Sequence, residues 1–181
     1  LFRGLPSIME LSNIDTCFAL PFNLPSLDDK YEYQWYRNDL ETMITEKKVA
    51  LEESEKLYLI AKNDKECADT ASIEVTIHKN PIESLVKDTV FCQNTGEHAF
   101  DIKAQSSDEN DESNLNTVLY DAAGNEVPRS INTDTVVVDG KRKVLDYVVV
   151  QENFTTHCTS KTDFHVEVRK AFTLKAEDTK A

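Results

Sequence analysis

The sequence predicts an all-β chain built as two tandem antiparallel β-sandwiches. Three observations predict it: an internal repeat, short stretches of period-two alternation, and cysteines placed twice in the same order. Asp15-Thr-Cys-Phe18 recurs as Asp88-Thr-Val-Phe-Cys92, Gln34-Trp-Tyr-Arg37 has a weaker echo in Val118-Leu-Tyr-Asp121, and Leu57-Tyr-Leu-Ile60 returns as Asp146-Tyr-Val-Val149. The closest match follows the later cysteine of each copy. Ile73, Val75 and Ile77 stand behind Cys67 at the same offsets as Phe164, Val166 and Val168 behind Cys158. The second copy is longer, and Ser106-Ser-Asp-Glu-Asn-Asp-Glu-Ser113 reads as the insertion.

Along the first copy, Tyr31, Tyr33 and Trp35 alternate with polar residues and share one face of a central strand. Trp35, Tyr33 and Tyr58 are its expected core, and Leu119 and Tyr147 that of the second copy. Between Leu40 and Leu57, Leu40, Met43 and Ile44 have helical spacing. Lys47 and Lys48 then fall on the same stripe, so at most one or two helical turns are expected there. In the second copy, Leu119 to Val127 reads as a hairpin through Gly124-Asn125. Val136 to Val144 reads as another through Asp139-Gly140. Ile73–Ile77 and Phe164–Val168 close the two copies as final strands. Pro81, in the short joint Lys79-Asn-Pro-Ile82, is expected to stiffen the link. The expected domains are therefore 1–80 and 81–171, with 172–181 a tail or the start of a further repeat.

Each copy runs cysteine, then Trp-Tyr or Leu-Tyr-Asp, then Tyr with Val or Ile, then Asn shortly before a second cysteine, then an alternating Val/Ile strand. This order resembles the immunoglobulin-like and PKD-like repeats strung along secreted surface proteins of the Bacteroidetes, such as adhesins and gliding-motility proteins exported by the type IX pathway. The resemblance implies two tandem immunoglobulin-like sandwiches and a non-catalytic role as stalk, spacer or adhesive module. It implies an extracellular, cell-surface setting, with neighbouring repeats of the same polypeptide, and surface glycans or proteins, as partners. The opening at Leu1, without Met or a leader, fits excision from a longer polypeptide.

Cys17, Cys67, Cys92 and Cys158 fit an oxidising compartment, and no spacing among them suits zinc. Two pairings stay open. The default joins Cys17 to Cys67 and Cys92 to Cys158 within each copy. However, Cys67 and Cys158 fall well after Tyr58 and Tyr147, towards the last turn of each sandwich, whereas Cys17 and Cys92 fall near the first corner, at the opposite end. The other pairing is Cys17 with Cys158 between domains, leaving Cys67 and Cys92 for outside neighbours.

A net charge of −13, from 20 basic and 33 acidic side chains, disfavours nucleic acid and anionic membranes as partners. No stretch is long and apolar enough to insert as a membrane helix. No nucleophile elbow, phosphate loop or metalloprotease motif occurs, so no catalytic residue, metal or cofactor is expected. His78, His98, His157 and His165 read as surface residues. Asp108-Glu-Asn-Asp-Glu112 reads as a solvated loop in preference to a calcium site. Tyr36 and Tyr120 point away from the core and form a candidate ligand surface, which makes a carbohydrate-binding accessory module of a secreted glycan-degrading enzyme the alternative reading; a periplasmic or cell-wall assembly factor is a third. Asn153-Phe-Thr155 fits an N-glycan acceptor. Asp69-Thr-Ala71, Asp88-Thr-Val90 and Asp134-Thr-Val136 fit the O-glycan acceptor of the resembled phylum.

Overall fold

Alternation of apolar and polar side chains builds the closing strand of each unit, Ala68–His78 and Thr159–Arg169. A computed structural model describes residues 11–27, 29, 31–105, 107, 110 and 112–172. Two units, Leu1–Asn80 and Pro81–Ala181, each carry their own core, and each is an immunoglobulin-like antiparallel sandwich.

The first unit has strands β1 (Ile14–Cys17), β2 (Phe22–Asn23), β3 (Glu32–Tyr36), β4 (Met43–Ile44), β5 (Lys48–Val49), β6 (Glu55–Lys62) and β7 (Ala68–His78). One sheet has the order β1-β7-β6-β3-β4 and the other is the β2-β5 pair. All pairings are antiparallel except that of β1, which runs parallel to β7. On β6 the inward residues are Leu57, Leu59 and Ala61, each fully buried. Leu57 and Leu59 meet Ile73, Val75 and Trp35 in the core. Trp35 donates its indole N–H to the Pro25 carbonyl at 3.2 Å, so its one polar atom is satisfied inside the sandwich.

The second unit has β8 (Ile82–Leu85), β9 (Thr89–Cys92), β10 (Glu97–Ala99), β11 (Lys103–Gln105), β12 (Leu115–Asp121), β13 (Glu126–Val127), β14 (Ser130–Asn132), β15 (Arg142–Asn153) and β16 (Thr159–Arg169). Its large sheet, β13-β12-β15-β16-β9, repeats the first unit's order, again with the first strand parallel to the last. The β10-β14 pair matches β2-β5, and the β8-β11 pair is additional. The core gathers Leu119, Val149, Phe164, Val166 and Val168, with Phe100, Tyr147 and Phe164 at mutual ring separations of 5.4 Å.

Three local expectations are corrected. Leu40 to Leu57 holds no helical turn: Met43–Ile44 pairs with Trp35 and Tyr36, and Lys48–Val49 pairs with Phe22 and Asn23. The two lysines on the would-be helical stripe are what a short exposed strand tolerates and a core-facing helix does not. The Asp139-Gly140 hairpin does not form, because Val136–Val138 run as irregular chain with Val138 buried in the core. By contrast, the Gly124-Asn125 hairpin does form, with Leu119 opposite Val127 and Gly124 at φ 82°.

The third correction concerns Tyr58. It lies opposite Tyr36 on the outer face of the sheet, under Lys56, because its neighbours Leu57 and Leu59 take the inward positions. Register gives the reason. Trp35 faces Leu59 as Leu119 faces Val149, and Leu57 faces Ile73 as Tyr147 faces Phe164. Tyr147 is therefore the counterpart of Leu57, not of Tyr58. Matching tyrosine to tyrosine displaces the two motifs by one residue, and in a strand one residue is the whole difference between core and solvent.

Candidate functional site

Both early cysteines end the strand that runs parallel to the closing strand. Cys17 sits opposite His78 and Cys92 opposite Arg169. In each unit the next residue donates its backbone N–H to that partner's carbonyl: Phe18 to His78 and Gln93 to Arg169, both at 2.8 Å. Two residues past each cysteine the chain turns left-handed, at Ala19 (φ 54°) and Asn94 (φ 62°).

Both late cysteines sit in the turn into the closing strand, built around an asparagine. Asn63 donates its backbone N–H to the Cys67 carbonyl at 3.1 Å, and Asn153 does the same to Cys158 at 3.0 Å. The Asn63 side-chain oxygen accepts from the N–H groups of Lys65 and Cys67; that of Asn153 accepts from Thr155 and Thr156. The residue before each cysteine is left-handed: Glu66 at 61° and His157 at 57°. Each sulfur lies against the carbonyl two residues back, 3.9 Å from Lys65 and 3.8 Å from Thr156. The two units thus present similar corners, although the Asn153–Cys158 turn is one residue longer than the Asn63–Cys67 turn and its asparagine accepts from i+2 and i+3 instead of i+2 and i+4.

Their chemistry differs. Cys17 and Cys158 are disulfide-bonded, whereas Cys67 and Cys92 are free thiols. Each within-copy pairing needs one of the free thiols, so the default pairing is overturned. The physical reason is the one the spacing raised: the first corner and the last turn of one sandwich are set by different strand ends, so their sulfurs are not brought together. Cys158 is fully buried and Cys92 exposed.

Charge marks the surroundings of the free thiols. Arg169, opposite Cys92, is held by Glu167 at 2.7 Å, and Arg142 reaches the other carboxylate oxygen at 3.2 Å. The Arg169 hydrogen bond holds the Glu167 carboxyl below its usual range, and the same bond raises the Arg169 guanidinium, to which the Cys92 sulfur adds a smaller attraction. Lys141 accepts at its carbonyl from the Lys170 N–H, so Lys141, Arg142, Lys143, Arg169 and Lys170 converge at this end of the sheet. By contrast, the Cys67 turn carries Asp64, Glu66 and Asp69 against Lys65.

Tyr36 and Tyr120 lie on the outer faces of the large sheets, opposite Met43 and Glu126, and both are half-buried. Tyr36 borders a shallow depression of about 240 Å³ with Glu32, Gln34, Ile60 and Lys62. The larger hollow, about 600 Å³, is in the second unit, lined by Leu85, Phe91, Phe100 and Phe164 with Lys87 and Lys103. The histidines are dispersed: His165 beside Asp146 at 2.7 Å, His157 beside Glu152 at 3.0 Å, His78 beside Asp15 at 3.8 Å, and His98 stacked on Phe91. Among the described residues, no group of three or more His, Cys, Asp or Glu is placed to hold a metal ion. Among them, too, no helix is long and apolar enough to cross a membrane.

Asp108, Glu109 and Asp111 of the acidic run, and residues 173–181 of the expected tail, lie outside the described residues. Asn153 of the N-glycan pattern is 2% exposed, and its amide donates to the Asn110 side-chain oxygen at 2.9 Å. The folded chain thus offers no acceptor amide there.

No protein-family model and no curated protein matches the chain. Solved structures that it is similar to include Sidekick-1 immunoglobulin domains 1–5, at 13% identity over 93% of this chain and 42% of that one, TM-score 0.38. Others are the N-terminal Ig1-2 module of the Drosophila receptor protein tyrosine phosphatase DLAR (12%, 87% and 95%, TM-score 0.35) and fibronectin(III)-like modules of Clostridium thermocellum CbhA (12%, 93% and 97%, TM-score 0.37). The chain spans less than half of the Sidekick-1 structure. At such identities and scores these are likenesses of fold, and the immunoglobulin-like class rests on the chain's own sheets.

Proposed function

We propose that this chain is a non-catalytic segment of an extracellular repeat protein, a stalk or adhesive spacer of the kind that bacterial cell-surface proteins string together, with neighbouring repeats as its first partners. One observation carries the reading. Cys17 and Cys158 are oxidised whereas Cys67 and Cys92 are free, and we take the two oxidised cysteines as partners of each other. A Cys17–Cys158 bond suits a protein matured where thiols oxidise. It would also shield everything between the two cysteines from tension, which is what a stalk requires.

Single-molecule pulling tests this. Drawn from its ends, the oxidised chain is expected to extend only outside the two cysteines. A reductant should then release roughly 140 further residues, on the order of 50 nm of extended chain. Full extension without reductant would refute it.

The alternative, a carbohydrate-binding accessory module, is favoured by the half-buried Tyr36 beside its depression, since aromatic faces stack on pyranose rings. Glycan-array binding lost on Tyr36→Ala or Tyr120→Ala would replace the spacer reading with this one.

A further inference from the structure

The hollow of about 600 Å³ in the second unit lies where both of its walls are interrupted. On one side the chain leaves β8, which pairs with β11, and crosses over residues 86–88 to become β9, which pairs with β16. On the other side the chain breaks between β10 and β11, where the Phe100 N–H donates to the Arg129 carbonyl at 2.8 Å. Leu85 and Phe91 line the first wall and Phe100 the second, with the buried Phe164 behind them. Backbone groups of both walls are already paired. The Val86 N–H donates to the Ser84 carbonyl at 3.1 Å, the Ile102 N–H to the Phe100 carbonyl at 3.0 Å, and the Thr89 hydroxyl to the Lys87 carbonyl at 3.0 Å. Such walls have little to offer a hydroxyl-rich guest and suit an apolar one.

Charge on the lining decides the rest. Lys103 is tied to Asp101 at 3.3 Å, whereas Lys87 has no acid partner among the described residues. Asp88, the acid beside it, accepts instead from the His165 backbone N–H at 2.7 Å. The hollow therefore carries one uncompensated positive charge in a chain of net −13. We propose that it binds one straight-chain aliphatic carboxylate, a free fatty acid, with the tail among Leu85, Phe91 and Phe100 and the carboxylate at Lys87. This goes beyond the spacer reading and does not depend on it.

Magnitudes divide the work between the two ends of the ligand. Each methylene removed from water is worth about fourfold in affinity, whereas an ion pair at an exposed lysine is worth at most about fivefold in all. The tail supplies the affinity and the head selects the sign of charge.

The test is calorimetric titration of the full chain at about pH 8, where the carboxylate is ionised, with octanoate, decanoate and dodecanoate below their micelle-forming concentrations. The expected result is saturable binding of one ligand per chain that tightens about fourfold per methylene until the tail outgrows the hollow. Leu85→Asp, at a side chain 58% exposed, should weaken decanoate at least about tenfold by placing a carboxylate on the apolar wall. Wild type should prefer decanoate to decyltrimethylammonium by at least about fivefold, and Lys87→Glu, also at an exposed position, should remove or invert that preference. Unchanged melting temperatures of the two variants without ligand confirm that they fold. Vesicles of phosphatidylglycerol should not sediment with the chain, since the proposal names the free acid and not a membrane. Absence of saturable binding, binding indifferent to Leu85→Asp, equal affinity for the two head groups, or co-sedimentation with vesicles would each overturn it. So would a dimer lost in Leu85→Asp without decanoate binding, which would give the hollow to a second copy of the chain. None of these results touches the pulling experiment, so the spacer reading stands or falls separately.

Discussion

The two units fill the same inward positions with similar total bulk but distribute it differently. The first sets Trp35, Leu57 and Ile73 where the second sets Leu119, Tyr147 and Phe164. One step along the strands, Tyr33 faces Ala61 in the first and Thr117 faces Gln151 in the second. A large residue on one strand is matched by a small one opposite, and the choice flips between copies. What the repeat keeps is register and summed volume, not residue identity, as expected of cores that accept repacking if volume and patterning hold.

The largest expected effects break this comparison unit by unit. Trp35→Ala and Phe164→Ala should each cost about 3–5 kcal/mol in their own unit, since each removes a buried aromatic and leaves a cavity. Trp35 is the chain's single tryptophan, so its fluorescence in urea reports the first unit alone. Phe164→Ala is expected to lower the far-ultraviolet circular dichroism transition while leaving the fluorescence midpoint in place. Swapping the bulk sharpens the point. Leu119→Trp alone should overpack the second unit by about 1–3 kcal/mol. Combined with Phe164→Ile it should cost less than the two single changes added together, a coupling that denaturant titration of the double-mutant cycle would read.

That flip also explains what was legible beforehand. The sandwich class, the closing strands and the Gly124-Asn125 hairpin follow from period-two alternation and turn chemistry, both local properties that a strand carries in its own residues. The offsets behind Cys67 and Cys158 carried the true register, Ile73 with Phe164 and Val75 with Val166. Tyr58 went astray because tyrosine matched tyrosine, an identity that the units do not preserve. Asp139-Gly140 misled for a different reason. Its two-residue signal needs strands on both sides, and Val138 finds a better place in the core than in a ladder. At the candidate site, spacing placed the four cysteines in turns and corners. The contrasting charge around Cys92 and Cys67 was invisible, because Lys141–Lys143 and Arg169–Lys170 are distant in sequence and meet only through the pairing of β15 with β16.

A smaller effect, of opposite sign, is expected at Gln151. It is fully buried with neither amide atom hydrogen-bonded, whereas its counterpart in the first unit is Ala61, equally buried and with nothing to satisfy. An unpaired buried amide costs about 1–3 kcal/mol, so Gln151→Met, close in shape and free of that burden, should stabilise the second unit by about 1 kcal/mol, read as a higher urea midpoint. Ala61→Gln in the first unit should do the reverse and cost more, because Tyr33 occupies the space across the strand.

The smallest expected difference lies in the turns that follow the central strands, where each unit uses one aspartate. Asp39 accepts from the N–H groups of Glu41 and Thr42 and from the Thr42 hydroxyl; Asp121 accepts from the N–H groups of Ala123 and Asn125 and from the Asn125 amide. The Thr42 N–H chiefly holds the Asp39 carboxyl below its ordinary value of 3.8, and the Asn125 N–H chiefly does so for Asp121. A depressed carboxyl stabilises the fold above its unfolded value and loses that contribution as pH falls through the folded one. Asp39→Ala and Asp121→Ala should therefore lower the melting temperature at about pH 7, with the gap from wild type closing as pH falls below 3.8 and on through the lower folded values. Melting measured from about pH 7 to about pH 2 separates charge from shape. A gap that stays constant to the acid end would mean that the turns need the side chain's hydrogen-bond geometry but not its charge. A gap that closes for Asp121 only would mean that charge holds the second unit's turn and hydrogen-bond geometry the first.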